Sequence, residues 1–128
     1  MDDDMNEQDF NAFCKAMKAS TYVVQWGGAH VWKVGGKVFA IGGMGSKGVT
    51  NPDIQAVTFK VTPLSYDILK EQRGLRPAPY LASRGMKWIQ RYDEGELSDD
   101  DLKAYIKQSY ELVAAKLTKK LRTELGIN

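Results

Sequence analysis

The sequence predicts an α/β chain of the α+β kind, a two-layer sandwich with helices on one face of a mainly antiparallel sheet. Three observations predict this class. Amphipathic helical repeats stand at both ends, apolar runs broken by glycine pairs lie between them, and no regular βαβ alternation appears. A length of 128 residues, 43% of them hydrophobic, suits one domain over residues 1–128 with a core that needs no covalent staple. The lone Cys14 excludes a disulfide framework, and with the lone His30 it excludes an ordinary Cys/His zinc site.

The spacing predicts a first helix over residues 6–19. Phe10, Phe13, Cys14 and Met17 form one apolar stripe, and acids before Phe10 suit the positive end of the helix dipole. Cys14 lies in that stripe and reads as a small core residue. A β region follows: Thr21 to Trp26, His30 to Val34 and Lys37 to Ile41, turned by Gly27-Gly28 and Gly35-Gly36. Gly-Gly between apolar runs is a two-residue hairpin signal, because both turn positions need positive φ. Simple closure at Gly35-Gly36 pairs Val34 with Lys37 and Trp32 with Phe39. His30, Trp32, Phe39 and Ile41 then share one face, and Val31, Val38 and Ala40 the other. Both are largely apolar, so which face the helices cover stays open.

Residues 55–61 alternate, with Val57, Phe59 and Val61 on one side. Thr62-Pro63 is a cap followed by proline at the first helical position, opening a helix to about Gln72. Arg76 to Tyr80 must be extended around its two prolines, and Met86 to Tyr92 reads as a strand with Lys87 and Arg91 on one face. Ser98 and the acids after it open a last helix expected to run to about Leu125. Its stripe is Leu102, Ile106, Ser109, Val113, Leu117 and Leu121, and Gly126 stops it.

The net charge of +2 conceals a strong segregation. Residues 1–14 carry five acids and no base, and residues 93–102 carry six acids. Between them, residues 15–92 hold twelve Lys and Arg against three acids. Both acidic blocks read as helix starts, whereas the basic body asks for an explanation. Its candidates for contact with nucleic-acid phosphates are Lys33 and Lys37 beside the Gly35-Gly36 tip, Lys47 in the next loop, Arg76 and Arg84 flanking the proline segment, and Lys87 and Arg91. Solvated surface charge is the bland alternative.

Other motifs carry less. Residues 43–48 match G-x-G-x-x-G, but a strand rather than a helix follows, so no helix dipole is available for a dinucleotide. His30 stands beside Trp32 with no nucleophile motif near, and the two make a weak candidate for a ligand pocket. No catalytic residue, cofactor or metal ligand is asked for by any motif. The N-terminus is acidic rather than basic and apolar, and no apolar run approaches membrane length. A cytoplasmic location without a membrane partner is therefore expected.

Three stretches carry a family resemblance: W-G-G-A-H-V-W-K-V-G-G-K-V-F-A at residues 26–40, R-G-L-R-P-A-P-Y-L at 73–81 with M-K-W-I at 86–89, and S-Y-E-L-V-A-A-K-L at 109–117. They resemble the MmcQ/YjbR family, in order and over nearly the whole chain. Thr118 departs from the pattern, standing where a proline is expected before two lysines. The resemblance implies a secretion-chaperone-like α-β(3)-α-β(2)-α order and a DNA-binding "double wing". The expected partner is double-stranded DNA. The alternatives are an acidic protein or a second copy of the chain, met by an uncovered apolar sheet face and its basic rim. An unrecognised small-ligand site around His30 and residues 43–48 comes third.

Overall fold

The computed structural model describes residues 5–44, 54–81 and 84–127. Asn6 starts the first helix, α1 (Glu7–Lys15), with a reciprocal cap: its side chain accepts from the Asp9 N–H at 2.8 Å, and the Asp9 carboxylate accepts from the Asn6 N–H. Strands β1 (Ser20–Gln25), β2 (Ala29–Val34) and β3 (Lys37–Gly42) follow as consecutive hairpins. After residues outside the described set come β4 (Val57–Lys60) and α2 (Pro63–Leu69). Thr62 caps α2 as its sequence demands, accepting from the Ser65 N–H, and the helix ends three residues before Gln72. Strands β5 (Leu75–Pro77) and β6 (Trp88–Arg91) lead to α3 (Asp99–Ala114) and α4 (Lys119–Leu125).

The six strands form one sheet in the order β1-β2-β3-β4-β6-β5, every neighbouring pair antiparallel. Among the described residues four strands precede α2, where the family resemblance implies three. The Gly35-Gly36 turn has two residues, both at positive φ (59° and 82°), as a type I′ hairpin requires. The first hairpin closes one residue wider than expected. Gln25 pairs with Ala29, so Trp26 joins Gly27 and Gly28 in a three-residue loop and itself takes φ of 53°.

The pairing of Trp32 with Phe39 does not form. A β-bulge inserts Phe39, so that Lys33 faces Val38 while Trp32 faces Ala40. Phe39 and Ala40 consequently both reach the helix side, and Ile41 is sent to the other face beside Val31. Helix α3 engages the bulge directly. Buried Ser109 donates its hydroxyl to the Phe39 carbonyl (2.6 Å) and accepts the Lys60 N–H (2.8 Å), fastening the helix to two strands at once.

The main core lies between the helices and the sheet face carrying Trp32, Val34, Phe39, Phe59 and Ile89, with Phe10, Leu102, Ile106 and Val113 descending from the helices. Wholly buried Phe10, Phe39 and Phe59 each supply roughly 1.5–3 kcal/mol of transfer free energy. The opposite face is not bare. Ala29, Val31 and Ile41 form a second cluster under Val38, Met44 and Leu81, the last two from the loops after β3 and β5.

The last helix is interrupted. The chain leaves the helix at Ala115, and Thr118 starts α4 afresh by accepting the Leu121 N–H. Leu117, in the break, packs on the Gly35 turn so closely that a Cβ at Gly35 would stand 2.6 Å from it. The single helix expected to Leu125 is thus two helices with a corner that seals the β2–β3 hairpin.

Candidate functional site

Three lysines from distant parts of the chain converge where the sheet ends. Lys37 begins β3, Lys60 ends β4, and Lys116 follows α3; with Val38, Met86, Trp88 and Val113 they line a cavity of about 330 Å³. The register brings them there, because Lys60 pairs with Trp88 at the start of β6 and the β3–β4 ladder stops at Ala40–Phe59, short of Lys37 and Lys60. Among the described residues no carboxylate lies within ion-pair distance of these three ammonium groups. Burial first, then the charges of Lys116 and Lys37, hold the Lys60 ammonium below the usual lysine range. Half-buried Lys60, flanked by exposed Lys37 and Lys116 over an apolar floor with no acid among the described residues to balance them, forms an anion-receiving arrangement.

The other sequence-predicted bases occupy varied positions. Lys33 is half-buried on β2, opposite Val38. Lys87 is exposed and lies over the Tyr66 ring at 4.8 Å, a ring it shares with Lys70 at 5.3 Å. Arg84 is exposed in the loop before β6, and Lys47 lies outside the described residues, as do residues 45–48 of the glycine motif. Arg76 is held on the second sheet face, donating from Nε to the Gln90 side chain at 2.8 Å and covering Tyr92 at 4.5 Å. Gln90 in turn donates to the Met44 carbonyl and to Thr58.

Arg91 is the correction. Its strand face, shared with Lys87, predicts a surface base, but it is 2% exposed and belongs to the interior. Its guanidinium donates to the Gln55 carbonyl at 2.9 Å and stands 3.7 Å from the Asp99 carboxylate at the start of α3. It ties β6, the segment before β4 and α3 together, so it presents no charge to a ligand.

His30 does have a set of partners. Its Nδ1 is 2.7 Å from the Tyr22 hydroxyl and its Nε2 is 3.2 Å from the Glu7 carboxylate, while Tyr22 tilts against Trp32 with ring centres 4.8 Å apart. Trp32 donates to Asn11, and Tyr22, Trp32, Asn11, Lys15 and Ser20 line a cavity of about 460 Å³ beside β1. These contacts satisfy both histidine nitrogens and hold α1 on the first hairpin. Sequence reasoning missed Lys60 and Lys116, since no local spacing links either to Lys37. Only the strand register and the α3 corner bring them together.

The YjbR family model matches residues 15–112, and the chain belongs to that family. It is similar to the crystal structure of the Deinococcus radiodurans protein DR2400, a DUF419 domain, with a TM-score of 0.77 and 22% identity over 96% of this chain and 89% of that one. A Pseudomonas syringae protein has a TM-score of 0.67 and 20% identity, covering 85% of this chain and 99% of its own. At these identities the likeness is one of fold. No curated protein matches the chain. Among the described residues, no helix is long and apolar enough to cross a membrane.

Proposed function

We propose that this YjbR-family chain binds double-stranded DNA, contacting backbone phosphates with the lysines at the Gly35-Gly36 end of the sheet. One observation carries the reading: Lys37, Lys60 and Lys116 crowd around a single cavity with no acid among the described residues to neutralise them. A fold stabilised for its own sake would separate or pair such charges. The positions next along the chain extend the basic surface, since Lys119 and Lys120 open α4 immediately after the Leu117 corner. Extended positive charge suits a polyanion better than a single small anion. The Gly35-Gly36 hairpin then serves as one wing, with Lys37 beside its tip. Lys87 and Arg84 lie on the loop leading into β6 as the second. Arg91 has no part in either.

Phosphate contacts of this kind give weak sequence preference and strong salt dependence. Anisotropy of a labelled duplex, titrated between about 50 and 200 mM salt, should show log K falling with log salt at a slope of roughly −2.7 to −4.5, as three to five phosphate contacts require. Lys116→Glu and Lys37→Glu should each make that slope shallower by about 0.9 or more. Absence of binding at the lowest salt, or a slope that neither substitution changes, would overturn the reading.

A further inference from the structure

We infer that the β1 edge of the sheet is the contact surface for a second copy of this chain, joined by antiparallel β1–β1 pairing into one continuous sheet. The two edges of the sheet differ. β5 is three residues long and carries Arg76 and Pro77, features that stop a further strand from adding. β1 is six residues long, S-T-Y-V-V-Q, with no charge and no proline, and among the described residues its outer side has no strand neighbour. Tyr22 is 45% exposed and Val24 51%, with Val23 and Trp26 also open to solvent. Long, uncharged and apolar edges of this kind are what proteins elsewhere cover or guard.

The occupant follows from symmetry and charge. Pairing about a twofold axis perpendicular to the sheet keeps the helices of both copies on one side, so paired residues must lie on the same face. A twofold axis at Val23 sets Tyr22 against the copy's Val24 and Val23 against itself, which matches apolar with apolar along the centre of the strand. Helix α1 lies above this edge and runs against β1. Glu7 reaches His30, which pairs with Val24, while the Lys15 carbonyl accepts from Ser20 at the other end. Both Glu7 and Lys15 are exposed. The same axis therefore sets Glu7 of each copy toward Lys15 of the other, a complementary pair on each side of the dyad. The cavity lined by Tyr22 and Trp32 opens at this edge and receives apolar side chains from the copy.

Sedimentation velocity on the full chain from about 5 to 500 µM should show a monomer–dimer equilibrium, since an interface this small belongs to the weak class. Val24→Lys should weaken the dimer about tenfold or more while leaving the melting temperature of the monomer near its original value. If Val24→Lys does not fold, charge exchange decides. Glu7→Lys and Lys15→Glu should each weaken the dimer, and the double substitution should restore it. Because the double variant still lacks the Glu7–His30 contact, recovery cannot come from repair within one chain. A monomer at every concentration, a dimer indifferent to Val24→Lys, or single charge changes that the double variant fails to rescue would each overturn the inference.

Discussion

A single hydroxyl explains the most informative irregularity in the sheet. The bulge at Phe39 leaves a carbonyl outside the ladder, and Lys60 at the end of β4 leaves an N–H; Ser109 accommodates both from within the core. Ser109→Ala should leave both backbone groups buried and unpaired, costing about 1–3 kcal/mol in a urea unfolding series. A loss below about 0.5 kcal/mol would mean that the strands re-pair without the clamp. Helical spacing alone puts Ser109 on the buried stripe of its helix, but the bulge is met by a contact between residues 70 apart in sequence. Arg91 is illegible for a related reason. Alternation groups it correctly with Lys87 on one side of β6, yet only the folded chain supplies the Gln55 carbonyl and Asp99 carboxylate that make its burial affordable. Cys14, by contrast, is legible from its stripe alone. Burial pushes its thiol well above the usual range, consistent with a core residue that is no nucleophile.

At the scale of elements, short-range chemistry proved readable and long-range geometry did not. Gly35-Gly36, Thr62-Pro63 and Ser98 set their turn and helix starts through neighbouring backbone groups, and each stands where the sequence places it. The corner between α3 and α4 escapes the apolar stripe because Leu117 and Leu121 continue the helical spacing straight through it. The departure at Thr118 marks the place. Thr118 has φ of −64° and ψ of 154°, a backbone that proline adopts readily, while its hydroxyl caps α4. Proline and threonine are thus two ways to open the same helix. Thr118→Ala should destabilise the fold by about 1 kcal/mol, and Thr118→Pro by less, because its restricted φ offsets part of the lost cap. Thermal unfolding of the two variants side by side checks the order.

Across the whole molecule, charge is sorted by the direction of the strands and helices. Glu7 and Asp9 in α1 and Asp99 to Asp101 in α3 occupy helix starts at the Arg91 end, where Asp9 and Asp99 line one cavity. Lys37, Lys60 and Lys116 occupy the opposite end. Lys60 gives that polarity a pH signature. Its folded-state pKa lies below that of the unfolded chain, so its penalty on the fold is absent above the unfolded lysine range, grows as pH falls through that range, and is complete below the lowered value. A bound phosphate reverses the bias by favouring the ammonium. DNA binding should therefore take up a proton, and affinity should fall as pH rises through the lowered value, more steeply than in Lys60→Met; duplex titrations across alkaline pH measure this. The placement of the tryptophans has an optical consequence. Trp88 forms part of the floor of the lysine cavity, Trp32 stands beside the open β1 edge, and Trp26 sits in solvent at a hairpin tip. Each carries its own emission, so chains retaining one indole at a time should report separately on the two surfaces. An anion entering the lysine cavity should alter the Trp88 spectrum, and a second copy at the edge that of Trp32 and of Trp26 at its end.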